Sequence, residues 1–217
     1  MFKYAVFLIL ILQSAALSQN LQLHYDFGQG RHYFTSTIEM FKPDEYGSTF
    51  FFVDMDYDNP GNKSMSLGYW EFSRYINLHF IKDLSATVQY NDGATIWGPI
   101  GSVWLGGFSY PINLGFITIN TDFLYAHFEH ARSPDFQMTF VWFKSFLKEK
   151  IHFMGYMDIW SRDKNEGGKK PVLQAEPQIW YVLNNHLRVG SEIEISRNFL
   201  PFKGWKAMPT LGLKWVF

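Results

Sequence analysis

The sequence has no cysteine, and beyond residue 18 it has no long apolar run. The absence of cysteine excludes a disulfide framework, thiol chemistry, a lipidated N-terminal cysteine and thiolate metal sites. A membrane-spanning helix needs about 18 or more consecutive apolar residues, so helical spans are excluded beyond that point. The formal net charge is only −1. Because nucleic-acid binding calls for a basic stripe, we expect no nucleic-acid partner.

Aromatic residues are abundant: 22 Phe, 12 Tyr and 8 Trp make up 19% of the chain. The mean hydropathy is nevertheless −0.13, so the chain as a whole is not hydrophobic. Many aromatics without long apolar runs are typical of a transmembrane β-barrel, whose strands alternate apolar-out and polar-in between aromatic girdles.

The N-terminus has the pattern of a secretory signal. Lys3 supplies the positive charge, residues 4–12 form a short apolar core, and Ala16 and Ser18 occupy the small-residue positions of a cleavage site. The apolar core is too short for a membrane anchor. We therefore predict a cleaved signal peptide at residues 1–18 and a single domain at residues 19–217.

The mature chain divides into short runs in which apolar and polar residues alternate, as they do in strands with one apolar face. The pattern predicts about twelve strands. Connections after odd strands are mostly long and polar, at residues 58–66, 91–101, 161–170 and 198–205, whereas those after even strands are short, as at Lys82–Asp83. This asymmetry is typical of outer-membrane barrels, and a soluble β-sandwich does not explain it. The predicted fold is all-β: a transmembrane, antiparallel, up-and-down β-barrel.

The last strand has an outward apolar face of Leu211, Leu213, Trp215 and Phe217. We expect it to pair with residues 19–27 and close the ring, with Lys214 pointing inward. A strand that ends on Phe resembles the last strand of Gram-negative outer-membrane barrels, where this residue is an assembly signal. The resemblance implies the outer membrane as location, with its lipid and the barrel-assembly machinery as partners.

The predicted lumen is acidic and aromatic, and Arg188 and Lys214 are its clearest cations. Some of these groups would only brace and solvate a narrow lumen, but twelve strands should leave a slit in which opposing side chains touch a small solute. The candidate solute-binding residues are Glu39, Asp54, Asp56, Glu71, Arg74, Tyr156, Asp158, Trp160, Glu176 and Trp180.

Arg74 breaks the alternation, because strict parity places it on the lipid face between Phe72 and Ile76. A charge at mid-bilayer costs about 2–4 kcal/mol. Either a bulge at Ser73 turns Arg74 inward, or the side chain snorkels to an interface. We favour the bulge.

Several stretches together resemble the nucleoside-specific, Tsx-like channel family of the outer membrane. They are residues 37–41 with 50–56, residues 71–77 with 82–84, residues 155–160, and the terminal strand. The resemblance implies a monomeric twelve-stranded barrel that passes nucleosides. Lumen aromatics would stack on the base at roughly 1–3 kcal/mol each, and charged side chains would bond the ribose hydroxyls. The acidic lumen should disfavour nucleotides.

Two other function classes compete with a passive channel. One is an outer-membrane barrel enzyme of the lipase or protease type. A lipase of this kind would need a serine with an outward histidine, but His152 is predicted to face inward, its strand contains no nearby serine, and no G-x-S-x-G motif occurs. His127 and His130 lie three residues apart at the end of a predicted strand. Side chains at that spacing point in divergent directions, so the two are poorly placed to bind one metal ion. A plugged structural barrel is the third possibility. We predict a channel rather than an enzyme, without cofactor.

Overall fold

The computed structural model describes residues 19–199 and 203–217. The predicted signal peptide at residues 1–18, and residues 200–202 of the last predicted loop, lie outside this part of the chain. Among the described residues, no helix is long and apolar enough to cross a membrane.

The alternating runs form twelve barrel strands. They are β1 (Gln19–Asp26), β2 (Phe34–Asp44), β3 (Gly47–Tyr57), β4 (Leu67–Asn77), β5 (Ser85–Thr95), β6 (Val103–Asn113), β7 (Thr118–Phe128), β8 (Asp135–Phe146), β9 (Ile151–Asp163), β10 (Lys169–Ala175 and Gln178–Val182), β11 (Leu187–Arg197) and β12 (Trp205–Val216). A further two-residue bridge, Gly98–Pro99, pairs with the end of β5.

Each strand pairs antiparallel with the next in sequence, and β1 pairs with β12, so the sheet closes on itself. At this seam Leu21 lies opposite Trp215 and Leu23 opposite Leu213. Closure leaves no sheet edge, which is what a strand-built membrane span requires. The predicted twelve-stranded antiparallel barrel, with residues 19–27 as partner of the last strand, is confirmed.

The barrel is apolar outside and polar inside. On β1, Leu21 and Leu23 are 40% and 44% exposed, whereas Gln22 and His24 between them are each 2% exposed. The same alternation holds along β5 and β12, where buried Gln89 and Lys214 face inward. Exposed apolar side chains on a closed barrel are the surface that lipid covers.

The connections define two ends of the barrel. The turn end holds residues 45–46, 78–84, 114–117, 147–150 and 183–186 and both termini of the barrel. The loop end holds residues 27–33, 58–66, 96–102, 129–134, 164–168, 198–199 and 203–204. The difference in length is smaller than predicted. The turn at Lys82–Asp83 widens to residues 78–84, and the loop at 161–170 shrinks because residues 161–163 pair with residues 169–171.

Strand β10 is interrupted at Glu176–Pro177, because proline has no N–H to donate to a ladder. Its pairing is nevertheless continuous across the interruption: Asp158 lies opposite Gln174 and Met154 opposite Gln178. The N–H of Glu176 donates to the carbonyl of Tyr156 at 3.0 Å. Glu176 therefore stays on the inner face.

Two neighbouring glycines on β6 provide a test of the wall packing. A Cβ at Gly107 would overlap the carbonyl oxygen of Phe123, whereas at Gly106 the nearest atom, the Thr87 carbonyl oxygen, lies 4.0 Å away. We expect Gly107→Ala to destabilise the barrel by about 1–3 kcal/mol, as overpacking does. Gly106→Ala is the matched control. Urea unfolding of the refolded barrel, followed by its mobility on unheated gels, measures both, and equal midpoints would contradict the packing.

Candidate functional site in the barrel interior

All the predicted lumen residues except Arg74 face inward. The pairing of the strands places on the inner face Glu39, Asp54, Asp56, Glu71, Tyr156, Asp158, Trp160, Glu176 and Trp180.

The prediction that a bulge turns Arg74 inward is wrong. The β4–β5 ladder runs from Leu67 to Asn77 without a bulge, and Arg74 pairs with Val88 on the outer face. Its guanidinium reaches the rim of the turn end and binds Asp44 through both oxygens, at 2.5 and 2.9 Å, and Thr49 Oγ1 at 3.0 Å. Snorkelling to the rim removes the need for a bulge, because the charge never lies at mid-bilayer.

One wall of the lumen, on β2–β5, combines aromatic rings with carboxylates. Phe52 and Tyr69 have ring centroids 6.0 Å apart. The Tyr69 hydroxyl donates to Glu71 Oε1 at 2.6 Å, and Asn91 Nδ2 donates to the same oxygen at 3.0 Å. Beside them Asp54 accepts from Thr37 Oγ1 at 2.5 Å. Phe52 was not among the predicted site residues, although the alternation on β3 places it inward.

The facing wall, on β9–β11, is also acidic. Gln174 Nε2 donates to Glu176 Oε1 at 2.9 Å, and Gln178 Nε2 donates to Glu192 Oε2 at 2.5 Å. Asp158 keeps one oxygen without a hydrogen-bond partner among the described residues. Amides thus occupy part of the acceptor capacity of these carboxylates and leave their charge uncompensated.

The two walls approach one another across the lumen. Glu71 on β4 and Asp158 on β9 are close enough to repel each other, as are Asp54 on β3 and Glu176 on β10. Strands β4 and β9 lie on opposite sides of the twelve-strand ring. A solute in the lumen would therefore meet carboxylates from both sides.

The two predicted tryptophans are enclosed in the wall and present no open ring face. Trp160 is 8% exposed and Trp180 is fully buried. The Trp180 ring lies over Gly190, where a Cβ would come within 2.6 Å of Cε3, and His24 lies over Gly212 in the same way, within 2.8 Å of Nδ1. The Trp180 and His24 rings meet edge-on at 5.5 Å. The prediction that these tryptophans stack on a solute is therefore not supported.

An arginine from a loop lies at the loop end of the lumen, and no pattern in the sequence indicated it. Arg31 Nη1 binds Asp26 Oδ2 at 3.1 Å and Glu194 Oε2 at 2.8 Å. Next to it, Tyr33 donates to Asp56 Oδ2 at 3.4 Å. Burial and the charge of Asp56 raise the pKa of the Tyr33 hydroxyl above its usual range, so Tyr33 stays a neutral donor.

One sector of the interior is apolar. On the loop-end half of β6 and β7 the inward side chains are Val103, Leu105, Leu124, Ala126 and Phe128, and Leu105, Leu124 and Ala126 are buried together. Apolar packing therefore fills part of the interior, and the remaining inner wall is polar.

The histidines considered as catalytic or metal residues occupy separate places. His127 faces outward opposite Trp104, and His130 contacts only the neighbouring Glu129 at 3.4 Å. Across residues 19–199 and 203–217, no group of three or more His, Asp or Glu side chains could hold a metal ion.

His152 lies opposite Ser145 on the adjacent strand. The sequence analysis considered serines only on the strand of His152 itself and therefore missed Ser145. Ser145 Oγ donates to Glu149 Oε1 at 2.6 Å, and the same carboxylate lies 3.7 Å from His152 Nε2. A serine nucleophile must give its proton to the histidine. Here its hydroxyl is bound to the carboxylate, so the three residues do not form a catalytic triad.

Solved porin structures share the fold. A NanC porin in a rhombohedral crystal form aligns with a TM-score of 0.61 and 10% identity over 92% of this chain and 100% of that chain. A KdgM porin aligns with a TM-score of 0.56 and 8% identity over 92% and 99%. A KdgM porin in complex with disordered oligogalacturonate gives 0.54 and 7% over the same shares.

At these identities the likeness is one of fold. No curated protein sequence matches the chain significantly. The family model described as a domain of unknown function, DUF5020, matches residues 18–217, and the chain therefore belongs to the DUF5020 family.

Proposed function

We propose that this chain is an outer-membrane channel through which small polar solutes diffuse passively. The observation that carries the proposal is a closed barrel with facing polar walls, Glu71 against Asp158 and Asp54 against Glu176. In this proposal residues 1–18 are a cleaved export signal, the loop end faces outward and the turn end faces the periplasm. The barrel acts as a monomer and is assembled through its last strand.

The charge of the lumen favours neutral or cationic solutes. Its centre holds carboxylates from both walls, whose hydrogen bonds come from amides, Tyr69 and Thr37 rather than from cations. Oligogalacturonate, present in one of the KdgM structures, is a polyanion. The acidic centre here would repel a polyanion, so we expect a different solute.

Nucleosides are the class we favour. Phe52 and Tyr69 are half-buried, so part of each ring is open to the lumen, and Glu71 beside them can accept from ribose hydroxyls. Base stacking is worth roughly 1–3 kcal/mol per base. Conduction needs binding weak enough for release, and a few modest contacts in series meet that need. The Tsx-like resemblance of the strands points to the same solute.

A plugged structural barrel is the second candidate, and the interior packing supports it. Trp180 and Met208 are fully buried, and the apolar sector around Leu105 fills another part of the interior. Solute flux separates the two candidates. We propose no catalytic role, because Ser145 and His152 lack the geometry of a triad.

The first prediction about the channel concerns solute charge. Liposomes containing the purified barrel should swell in adenosine and thymidine and much less in their monophosphates, because the carboxylates repel phosphate. Barrel-free liposomes are the control. Equal swelling with nucleosides and nucleotides would contradict the proposed selectivity, and no swelling with any solute would favour the plugged barrel.

The second prediction concerns Asp158. Asp158→Asn should lower the cation-over-anion permeability ratio by about tenfold, the effect of losing about 1.4 kcal/mol of charge interaction. Asp44→Asn is the matched control, because Asp44 lies on the rim beside Arg74 and outside the lumen. Reversal potentials in a KCl gradient across a planar bilayer give the ratio. An unchanged permeability ratio in Asp158→Asn would show that this central carboxylate does not set the charge selectivity of the channel.

The third prediction compares two arginines. Arg31→Gln should raise the preference for cations, because Asp26 and Glu194 would lose their counter-charge inside the lumen. Arg74→Gln should leave the reversal potential unchanged, because Arg74 lies on the outer face. If Arg74→Gln shifted the reversal potential as much as Arg31→Gln does, this assignment of the two side chains would be contradicted.

A further inference from the structure

Cations lie on the inner wall at both ends of the barrel, and at the loop end Arg162 pairs with Lys170. At the loop end, Arg31 is bound by Asp26 and Glu194. Toward the turn end, Arg188 is the second residue of β11 and lies directly opposite Lys214 on β12, on the same inner face. Like charges directly opposite one another on a sheet repel, so this arrangement is unfavourable by itself.

Arg188 and Lys214 form no ion pair within the described part of the chain. Lys214 is 1% exposed. Among the described residues, the contacts of its Nζ are with neutral groups: Gln178 Oε1 at 3.4 Å, Met154 Sδ at 3.7 Å, and the Trp180 ring at 4.4 Å from the centroid. A buried charge without an opposite charge is costly, so an anion at this position would be stabilising.

The neighbouring carboxylates make their hydrogen bonds to other groups rather than to these two cations. Glu39 and Glu192 lie within electrostatic range of Lys214, but Glu39 is bound by Asn20 Nδ2 at 3.0 Å and Glu192 by Gln178 Nε2 at 2.5 Å. Glu149, at the turn, lies 3.7 Å from His152 Nε2. None of the three is bonded to Arg188 or Lys214.

Buried nitrogen atoms at the same end also lack partners. Arg188 Nε and His152 Nδ1 are buried and make no hydrogen bond to a described residue. His152 is 8% exposed and lies close enough to Arg188 and Lys214 to feel both charges. Such atoms are normally satisfied by a bound group, and an anion with several oxygens could accept from more than one of these side chains.

We propose that Arg188 and Lys214, with His152 beside them, form a subsite for a small oxyanion at the turn end of the lumen. Arg188 is half-buried and adjacent to the turn at 183–186, so an ion can reach it from that end without crossing the acidic centre. The ligand class is a phosphate or a carboxylate. The subsite follows from the inner wall itself and does not depend on which solute the channel passes.

Titration of the purified, folded chain in detergent with inorganic phosphate tests the subsite, with acetate as a second probe. Phosphorus NMR line broadening or calorimetry should show saturable binding, and Arg188→Gln should weaken it at least about tenfold, the factor that corresponds to about 1.4 kcal/mol. Arg74→Gln, an arginine on the outer face, should bind like the wild type. Binding of phosphate alone identifies a phosphate subsite, and equal binding of acetate identifies a general oxyanion subsite.

Lys214→Met gives a second variant in case Arg188→Gln does not fold, and unheated gel mobility checks each variant. The proposal is overturned if neither anion binds saturably, or if a folded Arg188→Gln or Lys214→Met variant binds as the wild type does. Loss of binding in Arg74→Gln as well would indicate non-specific attraction and would overturn it too. Because binding is measured without flux, failure here leaves the channel proposal standing.

Discussion

The closed ring of backbone hydrogen bonds is the constraint on which the rest of the structure depends. A strand in hydrocarbon has no water to satisfy its N–H and C=O groups, so the twelve strands must find all their partners in one another. Pairing between β1 and β12 completes that ring. Once the ring is closed, successive side chains face either the outside or the inside of the barrel. Apolar ones meet lipid and polar ones meet the lumen, as Leu23 and His24 do on β1.

Inside the ring, space is limited and the polar side chains must share it. Glycine at 190 and 212 lets the rings of Trp180 and His24 lie against the wall, where a Cβ would collide with them. The apolar sector around Leu105 and Leu124 fills another part. The carboxylates of β3–β4 and β9–β10 occupy what remains and face each other. They lie close enough to repel one another.

The cations show how one residue type serves three environments. Arg74 reaches the rim and pairs with Asp44, which keeps its charge out of the hydrocarbon. Arg31 enters the lumen from a loop and binds two carboxylates. Arg188 lies opposite Lys214 and has no ion pair among the described residues.

The sequence by itself determined the barrel, the strand that closes it and the inward face of almost every predicted lumen residue, because the period of two in a strand is a local property. It also predicted the inward direction of Lys214. Only the tertiary structure decided which inward residues are accessible: Trp160 and Trp180 have the correct parity but are enclosed by neighbours from other strands. Likewise, Arg74 binds Asp44, Arg31 binds Glu194, and His152 lies opposite Ser145, in each case between residues from different strands or loops. Such contacts depend on strand register and on the curvature of the ring, and no local pattern encodes either.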